Sequence, residues 1–115
     1  MENILVVAGG RNDGRQLHSV ELLYLNENGT HNQGWVTGPD LPFDVSGSRM
    51  IEYKKSVIIL GGVNPEGPRQ HLHQLSSPNG PWTEMMQTLK SVGYFQTAFL
   101  VPDEIVNCHK WERDE

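Results

Sequence analysis

A glycine doublet that returns after 52 residues, Gly9-Gly10 and then Gly61-Gly62, constrains this chain more than any other feature. Trp35 returns as Trp82 at a spacing of 47, and Leu41 returns as Leu89 at a spacing of 48. Self-similarity with a period near 50 residues means that one supersecondary unit is built repeatedly, and such units bury their apolar faces by stacking on their neighbours. A chain of 115 residues has room for two units and no second, independent core. Carrying Val57-Ile58 forward by 48 reaches Ile105-Val106, while Gly61-Gly62 lands on His109-Lys110. A third unit is therefore expected to begin and then lose its signature.

Inside each unit the apolar runs are short and rich in aliphatic or β-branched residues, at 4–8, 20–25, 57–60 and 95–101. Those lengths predict strands. Turn chemistry separates them: Asn12-Asp13-Gly14, Asn28-Gly29, Gly38-Pro39-Asp40, Asn64-Pro65, Gly67-Pro68 and Asn79-Gly80. The 12 glycines and 7 prolines leave almost no room for helices. Residues 83–92 lack strong breakers, but Met85, Met86, Leu89 and Val92 make only a brief stripe, and the segment reads mainly as loop. Each unit thus reads as a strand ending in Gly-Gly, a polar loop, a second strand, a turn, a short strand carrying Trp, and a strand leading to the next doublet. Four strands per 50 residues fit one propeller blade.

The combination of Gly9-Gly10 and Gly61-Gly62, Tyr24 after the first doublet, and Trp35 and Trp82 closing the units resembles the kelch repeat. Two departures stand out: Leu75 occupies the place where the family usually shows Tyr, and 11 positions separate Tyr24 from Trp35. The resemblance implies an all-β fold, an incomplete kelch-type β-propeller of about two four-stranded antiparallel blades plus the start of a third. The units would be 1–48 and 49–95, with strands of a third at 96–108 and a charged, disordered tail at 109–115. Glycine at the end of an inner strand permits close backbone approach and positive φ. Trp35 and Trp82 are expected to fill the wedge between blades. Two blades leave open sheet edges, so the chain is expected to be a piece of a larger propeller or to self-associate through those edges.

Charge and composition exclude other classes. Fourteen acidic against nine basic residues give a formal charge of -5, which makes nucleic acid a poor partner. Cys108 is the only cysteine, so neither a disulfide framework nor a thiolate zinc site is expected. No apolar run approaches a membrane span, the first is too short for a signal-peptide core, and the protein reads as soluble and cytoplasmic. No cofactor and no metal is expected: His71-x-His73 reads as a solvent-facing pair without further ligands. The Gly9-Gly10-Arg11-Asn12-Asp13-Gly14 loop lacks the Lys and the following helix that phosphate binding requires. No Ser sits in a nucleophile elbow, and the copper-radical oxidases that share a kelch-like propeller need a cross-linked Cys and Tyr.

What remains is binding. Kelch resemblance implies a non-catalytic module that engages a protein partner, as in ubiquitin-ligase substrate adaptors or cytoskeleton-binding proteins. Loops on a rigid sheet carry recognition. The loops after the doublets present Arg11, Asp13, Arg15, Glu66 and Arg69, and the connection at 86–95 adds Tyr94 and Phe95. A second reading is part of a propeller enzyme or sugar-binding protein of galactose-oxidase-like fold without the catalytic residues.

Overall fold

The computed structural model describes residues 3–25, 34–90 and 101. Among them all regular structure is strand, and no helix is long and apolar enough to cross a membrane. A first sheet has the order β1 (Ile4–Ala8), β4 (Val20–Tyr24), β5 (Val36–Thr37), with a small hairpin of β2 (Arg11–Asn12) and β3 (Arg15–Gln16) between its first two strands. A second sheet runs β6 (Ser46–Tyr53), β7 (Ser56–Asn64), β9 (His71–Leu75), β10 (Trp82–Thr88), with β8 (Gly67–Pro68) added to the end of β7. All pairings are antiparallel.

Turn residues set the registers. Asp13 and Gly14 have φ of 52° and 78°, the left-handed pair a two-residue hairpin needs, and Asn12 pairs with Arg15 around them. Lys54 and Lys55 take the same conformation at 47° and 64° between Tyr53 and Ser56, where the Ser56 hydroxyl donates to the Tyr53 carbonyl at 2.6 Å. Residues 83–88, read from sequence as loop, continue strand β10 from Trp82. Thr83 and Glu84 pair with Gln74 and His73, and an irregularity precedes the Thr88–His71 pair. Only Trp82 is buried in this edge strand, so backbone pairing forms it without an alternating apolar pattern.

The sequence period is visible in the backbone. The Leu17 N–H donates to Gly10 O at 2.9 Å, and 52 residues on the Arg69 N–H donates to Gly62 O at 2.9 Å. Leu41 N–H donates to His18 O at 2.9 Å, matched by Leu89 N–H to Gln70 O at 2.8 Å. Strands β1, β4 and β5 thus correspond to β7, β9 and β10. The second sheet has β6 on the outer side of β7, and no described residue occupies that place beside β1.

The core formed by the described residues lies between the sheets. Ile4, Val6, Ala8 and Tyr24 pack against a buried cluster of Val20, Leu22, Leu41, Val45, Ile59, Leu75 and Trp82. Val45 is wholly buried at the junction of the two doublets. Its carbonyl accepts from Gly10 N–H at 2.7 Å, and a Cβ on Gly9 or on Gly62 would stand 2.8 Å from its side chain. Both glycines also have positive φ, so the doublets serve close approach and backbone conformation together.

The aromatic markers separate. Trp82 is buried, and its indole N–H donates to Pro39 O at 2.9 Å across the junction. Trp35, expected to pack like it, is 49% exposed. It precedes β5 on the face of the first sheet turned away from the core, where no described element covers it. Tyr24 pairs with Ile4, whereas Leu75 pairs with Val57, the counterpart of Leu5; the partner of Leu5 is Leu23. Leu75 therefore corresponds to Leu23, and Tyr24 points to the opposite face.

Candidate functional site

The loops after the two doublets lie at one end of the sheets. Asp13, Arg15 and His18 face Asp44 and Pro65 across a cleft of about 600 Å³. Pro42 and Phe43 belong to a second cleft of about 430 Å³, with Glu66, Arg69, His71, His73 and Glu84. The connection through Pro42, Phe43 and Asp44 therefore contributes to both clefts. Its place is set by the Leu41 N–H bond to His18 O and the Val45 N–H bond to Leu17 O at 2.9 Å.

Of the residues singled out from sequence, Arg11, Asp13, Arg15 and Glu66 are exposed on these loops. Asp13 and Arg15 share the larger cleft, and Glu66 lies in the smaller. Tyr94 and Phe95 lie outside the described residues, as do Cys108, the strands expected at 96–108 apart from Val101, and the tail.

Arg69, expected as a loop charge, is an interior residue only 6% exposed. Its Nη1 donates to Gly61 O at 2.9 Å, and its Nη2 donates to His71 O at 3.0 Å and to His73 Nδ1 at 3.1 Å. The guanidinium carbon lies over the Phe43 ring, 3.7 Å from the ring centroid. Burial lowers the Arg69 pKa to about 10, opposed by the charge of Glu84. Residue 69 begins the return from β8 to β9, which brings its side chain under the Gly61 carbonyl.

The His71-x-His73 pair also departs from expectation. His71 is exposed, while His73 is 7% exposed beside Phe43, with ring centroids 4.6 Å apart. Because Arg69 donates to Nδ1, the His73 proton sits on Nε2, which faces Glu84 Oε1 at 3.7 Å. Burial, and then the Arg69 charge, lower its pKa. Strand alternation places His73 on the same side as Leu75, and that was the available signal.

His18 has the opposite environment. Its Nδ1 meets Asp44 Oδ1 at 2.6 Å and its Nε2 lies 3.8 Å from Asp40 Oδ2, all on exposed side chains. The hydrogen bond to Asp44 raises its pKa. Residues 18 and 44 are joined only by the fold, so no sequence spacing announces the pair. Among the described residues no three His, Cys, Asp or Glu side chains gather to hold a metal ion.

No protein-family model matches the sequence, and no curated protein matches it.

Proposed function

We propose that the chain forms two consecutive blades of a kelch-type β-propeller and acts as a non-catalytic module that binds a protein partner through the loops after its glycine doublets. The supporting observation is the recurrence of the doublet hydrogen bonds at a spacing of 52, which brings both loops to one end of the sheets. There Asp13 and Glu66 sit in two-residue hairpin turns and Arg11 and Arg15 in the strands flanking the first, exposed charge of both signs on a rigid backing for polar contacts. Further blades in this reading pack on the exposed side of β1, where Leu5 and Val7 are 49% and 48% exposed.

Site-specific photo-cross-linking in cells tests the role. A photoreactive residue at Asp13 or Glu66 is expected to capture the same protein, and one at Lys54, in the turn at the far end of β7, is expected not to. Equal capture at Lys54, or no capture at either loop, would overturn the assignment.

A further inference from the structure

Arg69 is more than nine-tenths buried, yet among the described residues no carboxylate forms an ion pair with it. A guanidinium has five N–H donors. The carbonyls of Gly61 and His71 and the Nδ1 of His73 take three of them, and Phe43 covers a face. Two donors are left without an acceptor among the described residues, on a side chain largely withdrawn from solvent. Buried charges are normally paired, and buried donors normally have acceptors.

The first unit shows what the fold alone requires here. Leu17 holds the place of Arg69 and makes the same backbone bond to its doublet. The Glu21–Thr37 pair holds the place of the His73–Glu84 pair. A leucine thus suffices for the backbone role, and the combination of Arg69, His73 and Glu84 has no equivalent in the first unit. The repeat does not need the guanidinium, and Arg69 is among the residues that line an open cleft of about 430 Å³.

We propose that this cleft binds a carboxylate group, with Arg69 as its receptor and Phe43 and His73 holding the guanidinium in place. This goes beyond the loop-mediated reading, because Arg69 lies beneath the exposed loop charges and needs no kelch-type assembly to act. Glu66 and Glu84 border the same cleft. Their charge opposes an anion, so binding of an isolated carboxylate is weak and Glu84, whose side chain is 60% exposed, tunes it.

Nuclear magnetic resonance titration of the full chain provides the test, with succinate, the capped peptide acetyl-Gly-Glu-Gly-amide, and acetyl-Gly-Gln-Gly-amide as the neutral control. Saturable shifts at the Arg69 side-chain N–H and nearby amides are expected with a carboxylate probe and not with the Gln peptide. Tighter binding of the Glu peptide assigns the carboxylate to an acidic protein side chain, and tighter binding of succinate assigns it to a small dicarboxylate. Arg69→Leu, which copies the first unit, should weaken binding at least about tenfold. Glu84→Gln, an exposed substitution, should strengthen it about two- to fivefold, and it decides the matter if the Arg69 variant does not fold. Absence of saturable shifts with both carboxylates, equal binding of the Gln peptide, or weaker binding by Glu84→Gln would overturn the proposal.

Discussion

The two units share a backbone plan and differ in what covers them. In the second unit the side of the sheet bearing Ile59 and Leu75 faces the first unit, and both residues are wholly buried. The equivalent side of the first unit bears Val7 and Leu23, and Val7 is 48% exposed. Trp82 and Trp35 repeat the contrast at 7% and 49% exposure. Equivalent apolar positions therefore contribute very different energies, because burial depends on the neighbouring sheet and not on the strand that carries the residue. A repeat unit is only half of its own core.

Substitutions at paired positions can break this comparison. Trp82→Ala should cost about 3–5 kcal/mol, through a cavity at the junction and the loss of the bond to Pro39, whereas Trp35→Ala should cost less than about 1 kcal/mol. Urea midpoints that fall equally for both would show that the first face is also covered in solution. Ile59→Ala against Val7→Ala sharpens the same point, with about 2–5 kcal/mol expected for the first and under about 1 kcal/mol for the second. Light scattering on Val7→Lys supplies the complementary reading: if further copies pack on that face, the variant has the lower mass.

The glycine doublets predict a smaller difference. Gly62→Ala meets the Ser46 carbonyl at 2.8 Å and the Ser48 amide nitrogen at 2.9 Å as well as a φ of +81°, and should cost about 2–4 kcal/mol. Gly10 has a φ of +110° but nothing within 4 Å of an added Cβ, so Gly10→Ala carries the conformational cost alone, about 1–2 kcal/mol. Equal losses in thermal unfolding would mean that the close approach at Gly62 relaxes freely.

The smallest expected effects are those of pH, and they have opposite signs in the two units. Burial holds the His73 pKa below the ordinary 6.5, so the unfolded chain binds its proton more readily. Stability from this site is complete above 6.5 and is lost as the pH falls below 6.5 and through the folded value. Asp44 holds the His18 pKa above 6.5, so its contribution is complete below 6.5 and is lost as the pH rises through the folded value. Urea midpoints between about pH 5 and 8 should become less pH-sensitive on the acid side in His73→Gln and on the alkaline side in His18→Gln. The reverse pattern would contradict the environments of both rings.

Much of the architecture was legible in the amino-acid order. The 52-residue doublet spacing reappears as a repeated hydrogen bond, Leu41 and Leu89 make corresponding bonds, and the Asp13-Gly14 turn forms the hairpin its chemistry requires. Strand β10 was not legible, because an edge strand with one buried residue carries no alternating pattern. Of the binding candidates, the exposed loop charges follow from turn chemistry. Arg69 does not, since nothing in its neighbours along the chain says that Phe43 and the Gly61 carbonyl will enclose it.

The amino-acid order by itself determined the strands with apolar runs, most of their turns and the period, because these depend on local backbone preferences and on spacing along the chain. Tertiary structure alone decided which copy of each repeated residue is buried, that Arg69 and His73 lie inside while Arg11 and Arg15 remain outside, and that His18 meets Asp44. Those outcomes depend on which surfaces meet across the junction. Stacking two similar units necessarily makes them different, since only one can cover the other on a given side.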